Sequence, residues 1–90
     1  MEFARVLLQL RTKARVTRYA LAQEAQVDPN YVVHLERGEK RRPSRRIVLK
    51  LGQALLDNSG DITLKDVDRL LKAAGHGPVP RNRISILPRK

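Results

Sequence analysis

The sequence predicts an all-α domain of five helices, and three observations carry that prediction. Apolar residues recur at helical spacing in five separate segments between Glu2 and Ala74. Residues suited to helix starts or stops (Thr17, Asp28, Gly38, Ser44, Thr63 and Gly75) punctuate those segments. No extended alternation of apolar and polar residues competes; only Ile84-Ser85-Ile86, near the end of the chain, reads as a short strand.

The first helix spans Glu2 to Lys13, with Phe3, Val6, Leu7 and Leu10 on one face at spacing i, i+3, i+4, i+7. Arg11 and Lys13 load its C-terminal end, where cations suit the helix dipole. Ala14-Arg15-Val16 is a connector. Thr17 is placed to cap a second helix running to about Ala25, which buries Leu21, Ala22 and Ala25. Gln26-Val27 forms a turn, with Val27 as a core plug. Asp28 caps a third helix and Pro29 takes its first position, where no amide is missed. Val32 and Leu35 face inward, and Gly38 ends the helix as a left-handed stop.

Glu39 to Pro43 is a basic loop. Ser44 caps a fourth helix whose main stripe is Val48, Leu51 and Leu55, with Ile47 and Ala54 flanking, and Asp57-Asn58-Ser59-Gly60 follows as a turn. Thr63 and Asp66 make a capping-box-like pair, with Ile62 and Val67 as a hydrophobic staple across that start. The fifth helix buries Val67, Leu70, Leu71 and Ala74 and stops at Gly75. The remainder, GHGPVPRNRISILPRK, has three prolines, two glycines and no acidic residue. The helical domain is therefore expected to span residues 1–76, and 77–90 to form a basic, Pro-containing, extended C-terminal tail outside the core.

Ninety residues make one domain, near the lower end of sizes that fold without staples, and with no cysteine the chain must fold on apolar packing alone. One Phe, two Tyr and no Trp make that core aliphatic. Nineteen Lys and Arg stand against nine Asp and Glu, a net charge of +10, which implies a polyanionic partner. Nucleic acid is the first candidate and an anionic membrane the second. Lys40, Arg41, Arg42, Arg45 and Arg46 concentrate the excess within seven positions. No apolar run approaches the roughly 18 residues needed to span a bilayer. The N-terminus has an early Glu2, Arg on both sides of its apolar part and no small-residue cleavage site, so a signal peptide is not expected and a cytoplasmic location is. There is no Gly-rich phosphate loop, no HExxH and no GxSxG, so no catalytic residue and no enzyme activity are expected. Asp66 and Asp68 are two apart on a helix and do not converge, so no metal site is expected either. Nothing calls for a cofactor or a small-molecule ligand.

The stretch TRYALAQEAQVDPNYVVHLERG, residues 17 to 38, reads as two short helices joined by a tight turn. Leu21-Ala22, Val27, Tyr31-Val32, Leu35-Glu36-Arg37-Gly38, Arg42-Pro43-Ser44, Leu51 to Leu56 and Leu70 to Gly75 hold fixed spacings. In this pattern the chain resembles the phage-repressor/Cro type (xenobiotic-response-element type) of helix-turn-helix transcription regulator, over about residues 3 to 76. Two positions depart from it. Arg15 and Gln26 stand where the family often has Gly, and a non-Gly residue held in the left-handed region costs of the order of 1 kcal/mol. The resemblance implies a compact five-helix, repressor-like DNA-binding domain.

The outward face of the third helix carries Asn30, Val33, His34 and Arg37, and Asn30 and His34 share a face because they are four apart. By resemblance, Asn30 and His34 match base-contacting positions: an Asn can bond adenine N6 and N7, and an imidazole can donate to guanine. Val33 would pack on a thymine methyl, the alternative being partial burial. Thr17 and Arg18 are expected to hold one phosphate strand, and Lys40, Arg41 and Arg42 the strand across the groove. The Tyr31 hydroxyl is expected to meet a phosphate, the alternative being a semi-buried core Tyr. In the family the residue matching Glu36 pairs with an Arg of the first helix, here Arg11, which implies a structural ion pair. The resemblance thus points to a transcriptional repressor of double-stranded DNA, binding an inverted repeat as a homodimer. The dimer would form through the fifth helix, through the Ile84–Leu87 segment, or only on DNA. In a rival role for the tail, Arg81, Arg83, Arg89 and Lys90 would follow a groove. The alternatives in other classes are an antitoxin-like module that binds a partner protein as well as DNA through residues 78–90, and an RNA binder. The second lacks aromatic platforms for stacking bases.

Overall fold

Five helices form among residues 2–39 and 43–80, the part of the chain that the computed structural model describes: α1 (Glu2–Ala14), α2 (Arg18–Ala25), α3 (Pro29–Glu36), α4 (Arg45–Asn58) and α5 (Leu64–Ala73). No strand occurs among these residues. Each expected N-cap is made: Thr17 accepts from the Ala20 amide at 3.0 Å, Asp28 from Asn30 at 2.8 Å and Ser44 from Ile47 at 3.2 Å. Thr63 and Asp66 close a reciprocal capping box, with the Thr63 hydroxyl accepting from the Asp66 amide and the Asp66 carboxylate from the Thr63 amide.

The helices pack around one aliphatic core. α1 lies against α3, α4 and α5; α2 lies against α3 and α4; α4 lies against α5. Phe3, Leu7 and Leu10 of α1 meet Leu21, Leu35, Leu51, Leu55, Leu70 and Leu71 there, all fully buried. Burying a side chain of this size contributes roughly 1.5–3 kcal/mol, so this set is what holds five short helices together. Val27 seals the rim of the core, being only partly buried. The two turns flanking α2 rest on Arg15 and Gln26, both left-handed at φ 61° and 60°. Gln26 is the residue from which the chain redirects into α3, its amide bonding back to Ala22 and Gln23 carbonyls.

α4 is longer than the expected turn cluster allowed. Asp57 and Asn58 belong to the helix, and the Ser59 amide still reaches the Leu55 carbonyl at 3.2 Å. The extra half-turn is held by the Asn58 side-chain amide, which donates to the Ala54 carbonyl at 2.9 Å.

The expected tail does not lie wholly outside the core: Gly77, Pro78 and Pro80 are exposed, but Val79 packs inward. Val79 is buried, and its amide donates to the Asp68 carboxylate at 2.9 Å. His76 Nε2 donates to the Pro43 carbonyl at 3.0 Å, while Arg45 donates to the Gly77 and Pro78 carbonyls at 2.8 and 3.2 Å. The segment therefore folds back across the start of α4. Its prolines mark the absence of a helix, and one apolar side chain between them suffices to anchor the strap. The short strand read at Ile84–Ile86 lies outside the described residues.

Gly52 lets α4 and α5 approach closely. A Cβ built there would lie 2.7 Å from Val67 Cγ1, and Val67 is fully buried with a stiff, β-branched side chain. Gly52→Ala gains about 1 kcal/mol of helix propensity but forces a clash costing about 1–3 kcal/mol. The expected outcome is a net loss of stability in urea melts, and a smaller loss when introduced into a Val67→Ala background, because the two residues share one contact.

Asp66 also bridges α5 to α1, its Oδ2 accepting from Lys13 Nζ at 3.1 Å. Burial pushes its carboxyl up, but the Thr63 amide and hydroxyl and the Lys13 ammonium together hold it below its ordinary value. A carboxyl lowered by folding stabilises the native state above its unfolded pKa and stops doing so as pH falls through the folded one. Thermal stability is therefore expected to drop on acidification below about pH 4. Asp66→Asn, less stable at neutral pH, should show a shallower drop across that window.

Candidate nucleic-acid interface

α3 is fixed by its inner face. Val32 and Leu35 are fully buried, and Glu36, at the last helical position, has a side chain only 3% exposed. Its carboxylate accepts from Arg11 Nε at 2.6 Å and Nη2 at 3.2 Å, and from Arg18 Nε at 2.7 Å. Arg11 further donates from Nη1 to the Val16 carbonyl at 3.0 Å. The Arg11–Glu36 pair implied by the family pattern is thus present, bidentate, and extended by a second guanidinium, that of Arg18, which the sequence places on phosphate alone. Charge-assisted bonds of this geometry are the strong ones. They tie the end of α3 to the C-terminal part of α1 and the first residue of α2, and they neutralise a carboxylate that would repel phosphate.

The outer face of α3 is open. Asn30 and Arg37 are exposed, and Val33 and His34 are partly exposed. Tyr31 packs its ring partly against the core. Asn30, Tyr31 and His34 line an open cleft of about 580 Å³ whose other wall includes Val27, Ile47 and Lys50. Lys50 was not singled out from the sequence; a cation three residues after Ile47 at the edge of α4's apolar stripe is its only sequence mark. At the N-terminus of α2, Thr17 is exposed, and its cap bond uses an acceptor lone pair, leaving its O–H free to donate. Arg18 is half-exposed, with Nε committed to Glu36.

The basic loop divides. Lys40, Arg41 and Arg42 lie outside the described residues. Arg45, part of the same charge cluster, donates to the strap carbonyls of Gly77 and Pro78. Glu39, also missed in the sequence, pairs with His34 Nδ1 through Oε1, while its Oε2 lies 3.9 Å from Arg37 Nη1. Among the described residues no group of three or more His, Cys, Asp or Glu side chains is placed to hold a metal ion. No helix among them is long and apolar enough to cross a membrane.

A family model described as a helix-turn-helix domain matches residues 2–56, which takes in α1 to α3 and most of α4. No curated protein and no solved structure matches the chain.

The clamp predicts an asymmetry between its two cations. Arg11→Ala removes a largely buried partner and strips the bidentate half of the Glu36 pairing, which should cost about 3 kcal/mol in urea denaturation. Arg18→Ala, at a half-exposed position, should cost about 1 kcal/mol or less. Equal losses would place the buried charge elsewhere.

Proposed function

The chain belongs to the helix-turn-helix domain family of DNA-binding transcription regulators, and from that premise we propose that it is a sequence-specific repressor that inserts α3 into the major groove of double-stranded DNA. The observation that carries this reading is the division of α3 into two faces. Val32, Leu35 and Glu36 are held inside, and Asn30, Val33, His34 and Arg37 remain outside on a chain of net charge +10. A rigid helix with a polar outer face meets the geometric need of major-groove readout, since side chains must be placed within hydrogen-bond reach of base edges.

In this reading Asn30 bonds adenine, His34 and Arg37 meet neighbouring base edges, and Val33 packs on a thymine methyl. Thr17, at the positive end of α2, donates its hydroxyl to a phosphate. Arg18 contributes the guanidinium N–H groups not used on Glu36, and Tyr31 its hydroxyl. Lys40, Arg41 and Arg42 supply the cations for the opposite strand. A domain of this size covers little DNA, so operator affinity calls for two copies on an inverted repeat with half-sites about 34 Å apart. Such a repressor works in the cytoplasm.

Selection of binding sites from random duplexes tests the reading, followed by mobility shifts at several salt concentrations. Phosphate-driven binding must weaken steeply with salt. His34→Ala is expected to relax preference at one base position and leave binding to random duplex nearly intact. Arg42→Ala should weaken every sequence by a similar factor. Uniform losses from both variants would refute the division into reading and positioning residues, and the absence of any shift would refute DNA binding itself.

A further inference from the structure

Glu39 is an acidic residue at the edge of a surface otherwise suited to polyanions, and its position is set by the backbone. Beyond α3 and its cap residue Arg37 the chain turns at Gly38, left-handed at φ 79°, with the Gly38 amide bonded to the Leu35 carbonyl at 3.1 Å and the Glu39 amide to the His34 carbonyl at 2.9 Å. This double closure turns the chain back on the last turn of the helix. It sets Glu39 beside His34 rather than out along the loop. The carboxylate then engages both polar side chains at that end of the helix: Oε1 accepts from His34 Nδ1, and Oε2 lies 3.9 Å from Arg37 Nη1. Both Glu39 and His34 side chains remain close to half-exposed, so the pair sits at the surface and not in the core.

We infer that Glu39 is a specificity-determining positioning residue: it orients the His34 ring for base reading, while its charge lowers affinity for selected and random duplex alike. The inference rests on the proposal that α3 reads the major groove. An ionised carboxylate only accepts hydrogen bonds, so its contact requires Nδ1 to carry a proton. Nδ1 is thereby committed, the ring loses its freedom to flip, and Nε2 is the nitrogen left to meet a base edge. Lys50 of α4 lines the same cleft as His34. The second effect is electrostatic. A negative charge near approaching phosphates opposes every sequence alike, so it lowers affinity for selected and random duplex together and leaves the base preference to the oriented His34 ring.

The test uses the full chain and three variants of this position, on the duplex selected by the wild-type protein and on random duplex. Glu39→Ala removes both charge and acceptor. It should bind random duplex roughly threefold more tightly at low salt, while preference at one operator position falls from about tenfold to under about threefold. Glu39→Gln removes the charge but keeps an oxygen that accepts from Nδ1, so it should gain the same nonspecific affinity and keep the base preference. In Glu39→Ala/His34→Ala, the second change should have no further effect on that preference. Thermal melts of all variants should match the wild type, because the site is exposed. The inference is overturned if Glu39→Ala leaves every base preference unchanged, if it weakens selected and random duplex alike, or if Glu39→Gln and Glu39→Ala behave identically. A wild-type protein with no base preference at all would instead defeat the underlying reading of α3.

Discussion

Much of this structure depends on where one carboxylate is placed. Glu36 lies at the end of α3, 25 residues from Arg11, and is almost wholly removed from solvent. An unpaired carboxylate there would be costly, and the cost is met only when α1, α2 and α3 converge. Arg11 supplies two parallel bonds and Arg18 a third, so the carboxylate fixes three helices at one point. The same contact cancels a negative charge on the helix proposed to enter DNA. Fold and function therefore make the same demand on this position.

A second constraint holds the other side of the domain. α4 and α5 approach as closely as they do because Gly52 has no side chain to oppose Val67. Asp66 then serves two elements at once, closing the first turn of α5 and receiving Lys13 from α1. The strap at residues 76–80 completes this side, bonded to Pro43, Arg45 and Asp68. It crosses the junction where the basic loop ends and α4 begins, and so ties that junction to the core.

The net charge of +10 overstates the cationic surface free for a partner. Arg11 and Arg18 lie on Glu36, Lys13 on Asp66, Arg45 on strap carbonyls and Arg69 on the Gln9 side chain. Several of these are partial commitments, since a guanidinium has five N–H groups. The acidic residues are equally divided by role. Glu36 and Asp66 neutralise buried or half-buried cations, whereas Glu39 stands beside His34 and Arg37, two of the residues proposed to read bases. Local charge placement, more than the total, separates the structural ion pairs from the proposed DNA surface.

The sequence by itself determined the five helices, their caps and most of the core. These depend on residues one to four positions apart, so Thr17, Asp28, Ser44 and the Thr63–Asp66 box could be read directly. The left-handed Arg15 and Gln26 were legible only against a family pattern that has Gly there, and the Arg11–Glu36 pair likewise. Only the tertiary structure decided how side chains far apart in sequence share partners. Arg18 joins Glu36, Lys13 crosses 53 residues to Asp66, Val79 returns to the core, and Gly52 admits Val67. No periodicity encodes these, because each depends on the angle at which two helices cross and on the rotamers that crossing permits. His34 shows the boundary most clearly: its outward position follows from helical spacing, but the carboxylate that takes its Nδ1 is set by how the backbone turns at Gly38.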